Sequence, residues 1–127
     1  MNVFDASAIM AYLDQEAGAA DIARYVEGSL VSTVNLAEVL QKAEHRSMPR
    51  GAVRSLLQEM EIGIVPFDDD MAAFSAELWH DTRSRGLSLA DRACLSLAAA
   101  VGGIAVTTDK AWAGLEIEGV AIHVVLR

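Results

Sequence analysis

Short apolar runs alternate along the chain with longer amphipathic segments, which indicates strands joined through helices. The apolar runs predict strands at about 1–4, 30–33, 63–67, 104–107 and 120–125. The amphipathic segments predict helices at about 5–13, 17–26, 34–46, 49–60, 70–83 and 88–101, with Pro49 in a first turn. This order predicts an α/β fold with a mainly parallel central sheet of about five strands flanked by helices.

Length and composition limit the chain to one domain, expected over residues 1–127. Apolar residues make up 53% of it, which is enough for one well-developed core. No apolar run reaches the roughly 18 residues of a membrane span, and no basic region precedes the first apolar stretch. Cys94 is the only cysteine, which excludes an intramolecular disulfide and a cysteine metal cluster. We therefore expect a cytoplasmic protein with a buried Cys94 thiol and no membrane association.

The formal net charge of −8 opposes nonspecific binding to nucleic acid, because phosphates are attracted to basic surfaces. That objection weakens if several of the acids cluster around a cation. The positions of four acids suggest such a cluster. Asp5 and Asp109 follow the first and fourth predicted strands, and Glu38 and Asp91 lie in the first turns of predicted helices. In open parallel sheets, sites form beyond the carboxyl ends of the strands.

Each acid also has a purely structural interpretation. Asp5 and Asp109 are suited to cap helix N-termini, since aspartate accepts bonds from unpaired backbone N–H groups. Glu38 with Asn35, and Asp91 with Ser88, have the spacing of capping boxes. Taken together, however, four carboxylates at one rim would repel one another unless they were protonated or neutralised by a cation. Hard oxygen ligands suit Mg²⁺ or Mn²⁺, so the four acids predict a divalent-metal site.

Four short motifs carry a resemblance to a known family. They are Val3-Phe-Asp5-Ala-Ser7-Ala, Val34-Asn-Leu-Ala-Glu38-Val, Leu87-Ser-Leu-Ala-Asp91 and Val106-Thr-Thr-Asp109-Lys-Ala-Trp112. In this order, and over its whole length, the chain resembles the PIN-domain nucleases, most closely the VapC-like toxins of bacterial toxin–antitoxin pairs.

The resemblance implies a function and a set of site residues. Asp5, Glu38, Asp91 and Asp109 would be the metal-binding and catalytic acids, with Thr107 or Thr108 as a supporting hydroxyl and Ser7 as a helper. The implied activity is that of an Mg²⁺- or Mn²⁺-dependent endoribonuclease, in which metal-activated water hydrolyses RNA to 5′-phosphate and 3′-hydroxyl products. The implied partners are RNA, a second copy of the chain in a homodimer, and a cognate antitoxin.

Basic and aromatic side chains leave several interpretations open. Lys42, Arg46, Arg50 and Arg54 form two i,i+4 pairs, which is typical of a solvated helical face or of a stripe that contacts phosphates. Arg83, Arg85, Arg92 and Lys110 are competing RNA contacts nearer the acids in sequence. Phe67, Phe74 and Trp79 are expected to be core or dimer contacts rather than platforms for stacked bases. His45, His80 and His123 are scattered, so no acid–base pair of histidines is expected.

Two other classes of function fit part of the pattern. An aspartate-based phosphatase or receiver domain also uses an aspartate after the first strand together with Mg²⁺. The phosphatase needs a second acid two residues later, where this chain has Ser7, and the paired acid of a receiver is missing too. The other possibility is a catalytically silent PIN module that serves only as a binding partner.

Overall fold

Strands and helices follow the predicted order in the computed structural model, which describes residues 1–125. The strands are β1 (Asn2–Phe4), β2 (Leu30–Ser32), β3 (Gly63–Val65), β4 (Ile104–Thr107) and β5 (Ala121–Val124). The α-helices are α1 (Ala6–Leu13), α2 (Ala19–Ile22), α3 (Thr33–His45), α4 (Ala52–Glu59), α5 (Asp69–Glu77), α6 (Trp79–Thr82) and α7 (Leu89–Val101). Short 3-10 helices cover Ala23–Tyr25, Arg83–Arg85 and Lys110–Trp112. The predicted domain end at residue 127 lies outside the described residues.

The five strands form one sheet in the order β3-β2-β1-β4-β5. Every neighbouring pair is parallel, so the predicted α/β class and the mainly parallel sheet are confirmed. The chain moves outward from β1 to β2 and β3, then crosses to the other side of β1 to add β4 and β5. The strand order therefore reverses between β1 and β4, and such a reversal opens a crevice at the carboxyl ends of the two strands.

Alternating strand residues divide the core between the two faces of the sheet. Phe4 and Val106 point into a cluster with residues of α1, α3 and α4, whereas Val3 and Ala105 point into a cluster with residues of α7. Successive strand side chains face opposite sides, so both faces of β1 and β4 are covered. Cys94 is fully buried in the second cluster, as expected from its apolar neighbours.

Three helices differ from the predicted ranges. Helix α4 begins at Ala52 because Gly51 adopts a left-handed conformation with φ of 85°, so Pro49 lies in the turn before the helix. Gly18, with φ of 91°, similarly delays the start of α2. The helix predicted over 70–83 is divided into α5, α6 and a 3-10 helix. Every helix within residues 1–125 is too short or too polar to cross a membrane.

Candidate active site

Asp5 connects β1 to α1 and is almost completely buried, with 3% of its surface exposed. Its backbone N–H donates to the Val106 carbonyl at 3.2 Å, which continues the pairing between β1 and β4. Its Oδ1 atom accepts from the Ala8 N–H at 2.9 Å and caps α1. The capping interpretation is therefore confirmed, and it leaves a second carboxylate oxygen directed toward β4.

The Thr107 hydroxyl connects Asp5 to the segment that carries Asp109. Its Oγ1 donates to Asp5 Oδ2 at 2.5 Å and accepts from the Asp109 N–H at 3.0 Å. Ser7 Oγ donates to Asp5 Oδ1 at 2.7 Å and accepts from the Thr108 N–H at 3.0 Å. Of the two candidate threonines, Thr107 is thus the one whose hydroxyl contacts Asp5, and Ser7 completes the support of the same carboxylate.

Asp109 lies at the carboxyl end of β4, beside the end of β1. Its Oδ1 accepts from the Ala111 N–H at 2.9 Å and caps the 3-10 helix Lys110–Trp112. Its side chain is exposed, unlike that of Asp5. The acids that follow β1 and β4 therefore meet where the strand order reverses, one buried in the floor and one at the surface.

Glu38 is held by Asn35, but the two residues do not form the expected capping box. Helix α3 begins earlier, because Ser32 at the end of β2 accepts from the Val34 N–H at 3.2 Å. Asn35 lies inside the first turn and is fully buried. Its Nδ2 donates to Glu38 Oε1 at 3.3 Å and to the Ala90 carbonyl at 3.0 Å. One amide thereby joins Glu38 to the start of α7.

Asp91 forms the capping box that its spacing with Ser88 predicts. Ser88 Oγ accepts from the Asp91 N–H at 3.1 Å, and Asp91 Oδ2 accepts from the Ser88 N–H at 2.8 Å. Ser88 is thereby the N-cap of α7, and Asp91 lies in the first turn of that helix. Because α3 and α7 both begin at the carboxyl edge of the sheet, Glu38 and Asp91 lie at the same rim as Asp5 and Asp109.

Burial and mutual repulsion raise the pKa values of two of these carboxyl groups. Burial is the main cause that raises the pKa of Asp5 to about 6, opposed by the bonds from Thr107, Ala8 and Ser7 and reinforced by the charge of Asp91. Burial also raises the pKa of Asp91, with a further upward contribution from Asp109. The Cys94 thiol has a raised pKa, first through burial and then through the charges of Asp5, Asp91 and Glu38. The acids therefore interact electrostatically across one small region.

The chemistry of these donors fits a hard divalent cation, although the four carboxylates do not lie close enough together to ligate one ion at once. Within residues 1–125, no Lys, Arg or His nitrogen lies within 4.0 Å of any of the four carboxylates. Across the same residues, no three Asp, Glu, His or Cys side chains form a group that could hold a metal ion. Carboxylates are the oxygen donors that Mg²⁺ and Mn²⁺ prefer. To hold one cation together, these carboxylates would have to move closer to one another than they are in this structure.

The basic residues fall into two groups with different positions. Arg46 lies eight residues after Glu38 on α3 and its cap, about 12 Å farther along the helix axis and away from the rim. Arg46 pairs with Asp14 at 2.6 Å, and Arg50 pairs with Glu44 at 3.2 Å. Lys42 and Arg54 are exposed on α3 and α4.

The second basic group adjoins the acids. Lys110 is exposed immediately after Asp109. Arg92 follows Asp91, and its Nη1 donates to the Ser75 carbonyl at 3.1 Å. The Nη1 atom of Arg85 donates to the carbonyls of Ala111 and Ala113, in the segment after Asp109.

The three aromatic residues differ in burial, and Trp79 stays a predicted dimer contact. Phe67 and Phe74 are partly buried against the core, whereas 45% of Trp79 is exposed. The Arg83 guanidinium stacks 4.9 Å from the centre of the Trp79 ring. No pattern in the sequence indicated the burial of Trp112, which is the last residue of the 3-10 helix after Asp109 and is fully buried.

Comparison with known proteins gives the family of the chain. Residues 3–117 match the PIN domain family, and the chain therefore belongs to that family. All four acids and Thr107 lie inside the matched region. A comparison with curated proteins found no match.

Solved structures share the fold at low sequence identity. The chain is similar to a toxin–antitoxin complex from Klebsiella pneumoniae, with 21% identity, coverage of 95% of this chain and 96% of the other, and a TM-score of 0.77. It is similar to VapBC2 from Rickettsia felis bound to a promoter DNA fragment, with 17% identity, 96% coverage of each chain and a TM-score of 0.68. It is also similar to VapBC-5 from Mycobacterium tuberculosis, with 22% identity, 98% coverage of each chain and a TM-score of 0.60.

Proposed function

We propose that this PIN domain is a cytoplasmic, Mg²⁺- or Mn²⁺-dependent endoribonuclease that acts as the toxin of a toxin–antitoxin pair. One observation carries the proposal: Asp5 is buried at the reversal point of the sheet, where the charge of Asp91 raises its pKa further, and Asp91 in turn interacts with Asp109. A buried carboxylate beside other carboxylates destabilises the fold at neutral pH unless a cation neutralises it. Buried carboxylates with raised pKa values are typical of catalytic and metal-binding sites.

The residues of the chain divide the work between support and ligation. Asp5, Glu38, Asp91 and Asp109 would hold the metal. Bonds from Ala8, Ser7 and Thr107 fix both oxygens of Asp5, which removes the rotational freedom of that carboxylate. Thr107 also holds the Asp109 backbone, so one hydroxyl sets the relative positions of two acids.

A bound Mg²⁺ or Mn²⁺ supplies a water of lowered pKa and polarises a phosphate oxygen. The carboxylates keep the site anionic, which disfavours RNA in the absence of metal. Lys110 and Arg92 adjoin two of the acids and are the basic side chains best placed to receive the RNA backbone. The reaction would be hydrolysis of a phosphodiester bond, leaving a 5′-phosphate and a 3′-hydroxyl.

An antitoxin and a second copy of the chain are the proposed protein partners. The similar structures from Klebsiella pneumoniae and Rickettsia felis are a toxin–antitoxin complex and a VapBC2 complex on DNA. A net charge of −8 would favour an antitoxin segment rich in lysine and arginine. Co-expression with the product of a neighbouring small reading frame, followed by copurification, tests this part of the proposal.

Metal binding is expected to stabilise the fold. Mn²⁺ at ten times its dissociation constant should add about 1.4 kcal/mol, or a rise of about 5 °C in melting temperature. The measurement is a thermal melt of EDTA-treated protein with increasing Mn²⁺ or Mg²⁺. As a control, Asp69→Asn removes an exposed acid on α5 and should keep the full rise. An unchanged melting curve in millimolar Mn²⁺ would contradict the metal site.

Cleavage of labelled RNAs, including structured transfer RNA, tests the activity itself. EDTA should abolish cleavage, and excess Mg²⁺ or Mn²⁺ should restore it, with product ends mapped chemically. Cleavage that continues in EDTA would rule out the proposed mechanism. Metal binding with no cleavage of any RNA would instead favour a silent binding module.

RNA affinity is expected to depend more on Lys110 than on Arg54. Lys110 adjoins Asp109 at the rim, whereas Arg54 lies on α4, a helix that carries none of the four acids. Lys110→Glu should therefore weaken RNA binding and flatten its dependence on salt, and Arg54→Glu should change both much less. Binding titrations at several salt concentrations measure both quantities. A larger effect of Arg54→Glu would favour the phosphate-binding stripe on α3 and α4.

A further inference from the structure

Arg85 connects the 3-10 helix Arg83–Arg85 to the 3-10 helix Lys110–Trp112, which follows Asp109. Its Nη1 atom donates to the Ala113 carbonyl at 2.6 Å and to the Ala111 carbonyl at 3.3 Å. These carbonyls belong to the segment immediately after Asp109, and they are 26 and 28 residues from Arg85 in sequence. Gly86, with φ of +69°, ends the 3-10 helix that carries Arg85 and turns the chain toward α7.

The same segment also holds the Asp109 carboxylate. The Ala111 N–H donates to Asp109 Oδ1 at 2.9 Å, while the Ala111 carbonyl accepts from Arg85. Ala111 is thereby held on both sides, by the guanidinium and by the carboxylate. Trp112 anchors this 3-10 helix in the core, but Asp109 itself is exposed, so little packing restrains its carboxylate directly.

We propose that Arg85 is a positioning residue, whose guanidinium fixes the backbone of residues 111–113 and through it the direction of the Asp109 carboxylate. The inference rests on the proposed function, because it assigns Asp109 to the metal. It gives Arg85 a role different from the RNA contact considered on sequence alone. Residues that orient a metal ligand change metal affinity by 10- to 100-fold when they are replaced.

The contact with the two carbonyls favours a positively charged donor at position 85. A guanidinium that donates to two carbonyls makes charge-assisted bonds, which are stronger than those between neutral groups. Both observed bonds come from Nη1, so an ammonium group could replace part of the contact. Arg85→Lys should therefore retain part of the effect that Arg85→Ala loses.

A double-mutant cycle on Mn²⁺ affinity tests the proposal. Arg85→Ala should weaken Mn²⁺ binding about tenfold, with Arg85→Lys intermediate and the melting temperature of the metal-free protein unchanged. Asp109→Asn should weaken binding as well, and adding Arg85→Ala to it should cause no further loss. A residue that acts through Asp109 loses its effect once the Asp109 charge is gone. Arg24→Ala, which removes an exposed arginine on another 3-10 helix, is the control.

Hydrogen exchange in metal-free protein separates this proposal from the proposed function. Arg85→Ala should speed exchange at the amides of Ala111, Trp112 and Ala113, and Arg24→Ala should not. If the wild-type chain binds no Mn²⁺, the proposed function fails. Unchanged hydrogen exchange in Arg85→Ala would then also overturn the positioning role of Arg85. Unchanged Mn²⁺ affinity in Arg85→Ala, or losses that add in the double variant, would also overturn it. Weakened RNA binding in EDTA with normal Mn²⁺ affinity would make Arg85 an RNA contact instead.

Discussion

Replacing Asp91 or Asp109 by asparagine is expected to lower RNA cleavage by about 100-fold or more while the chain still folds. An asparagine side-chain oxygen can accept the same backbone bonds, which come from the Ser88 N–H to Asp91 and from the Ala111 N–H to Asp109. The amide lacks the negative charge that a metal ligand needs at this site. Capping is therefore retained and catalysis is lost.

The measurement compares initial cleavage rates at saturating Mg²⁺ with melting temperatures for each variant. Asp68→Asn is a matched control, because Asp68 caps α5 by accepting from the Met71 N–H at 2.8 Å and is not one of the four acids. That variant should cleave RNA at the wild-type rate. If both the Asp91 and the Asp109 variant still cleave RNA, these residues have only a structural role at the helix N-termini.

Asp5→Asn is expected to make the metal-free protein more stable at neutral pH and to abolish most of the stabilisation by Mn²⁺. Burial raises the pKa of Asp5 from 3.8 to about 6, so the folded chain holds this proton more tightly than the unfolded chain does. Stability from this group is therefore present below about pH 4 and is lost as the pH rises to about 6. At pH 7.5 the ionised carboxylate costs about 2–3 kcal/mol, much of which a neutral amide would avoid.

Denaturant unfolding of wild type and Asp5→Asn in EDTA, at pH 5 and pH 7.5, measures this effect. The advantage of the variant should be larger at pH 7.5 than at pH 5 and should shrink or reverse when Mn²⁺ is added. If the variant is less stable than wild type at pH 7.5, the Asp5 carboxylate stabilises the metal-free fold, contrary to the prediction.

Local sequence patterns predicted the elements that carry the acids because the causes are local. A strand followed by a capping residue and a helix accounts for Asp5, and the spacing of Ser88 and Asp91 gave a capping box that the structure contains. The same spacing was misleading for Asn35 and Glu38. Ser32 lies three residues before Asn35 and takes the cap at the end of β2. The end of the strand at Ser32, rather than the spacing of Asn35 and Glu38, sets the start of the helix.

Long-range partners could not be predicted in the same way. Arg46 pairs with Asp14, and Arg85 contacts Ala113, across separations of 32 and 28 residues that no periodicity reveals. Helical spacing predicted the pairs Lys42–Arg46 and Arg50–Arg54. It could not show that Arg46 and Arg50 each form an ion pair with an acid. The amphipathic pattern likewise did not indicate the break after α5, and Trp79 at the start of α6 is exposed.

The pairing of the first strand with the fourth has a consequence for how the protein acquires activity during synthesis. Asn2 pairs with Ile104, and the Asp5 carboxylate meets Thr107 only across this junction. In a growing chain that ends before residue 104, β1 therefore lacks its neighbour β4, and the Asp5 carboxylate lacks the hydroxyl of Thr107. Contacts so distant in sequence form late, because the intervening chain must first be ordered. Under the proposed function, activity would therefore emerge only after residues 104–109 have been synthesised and β4 has paired with β1.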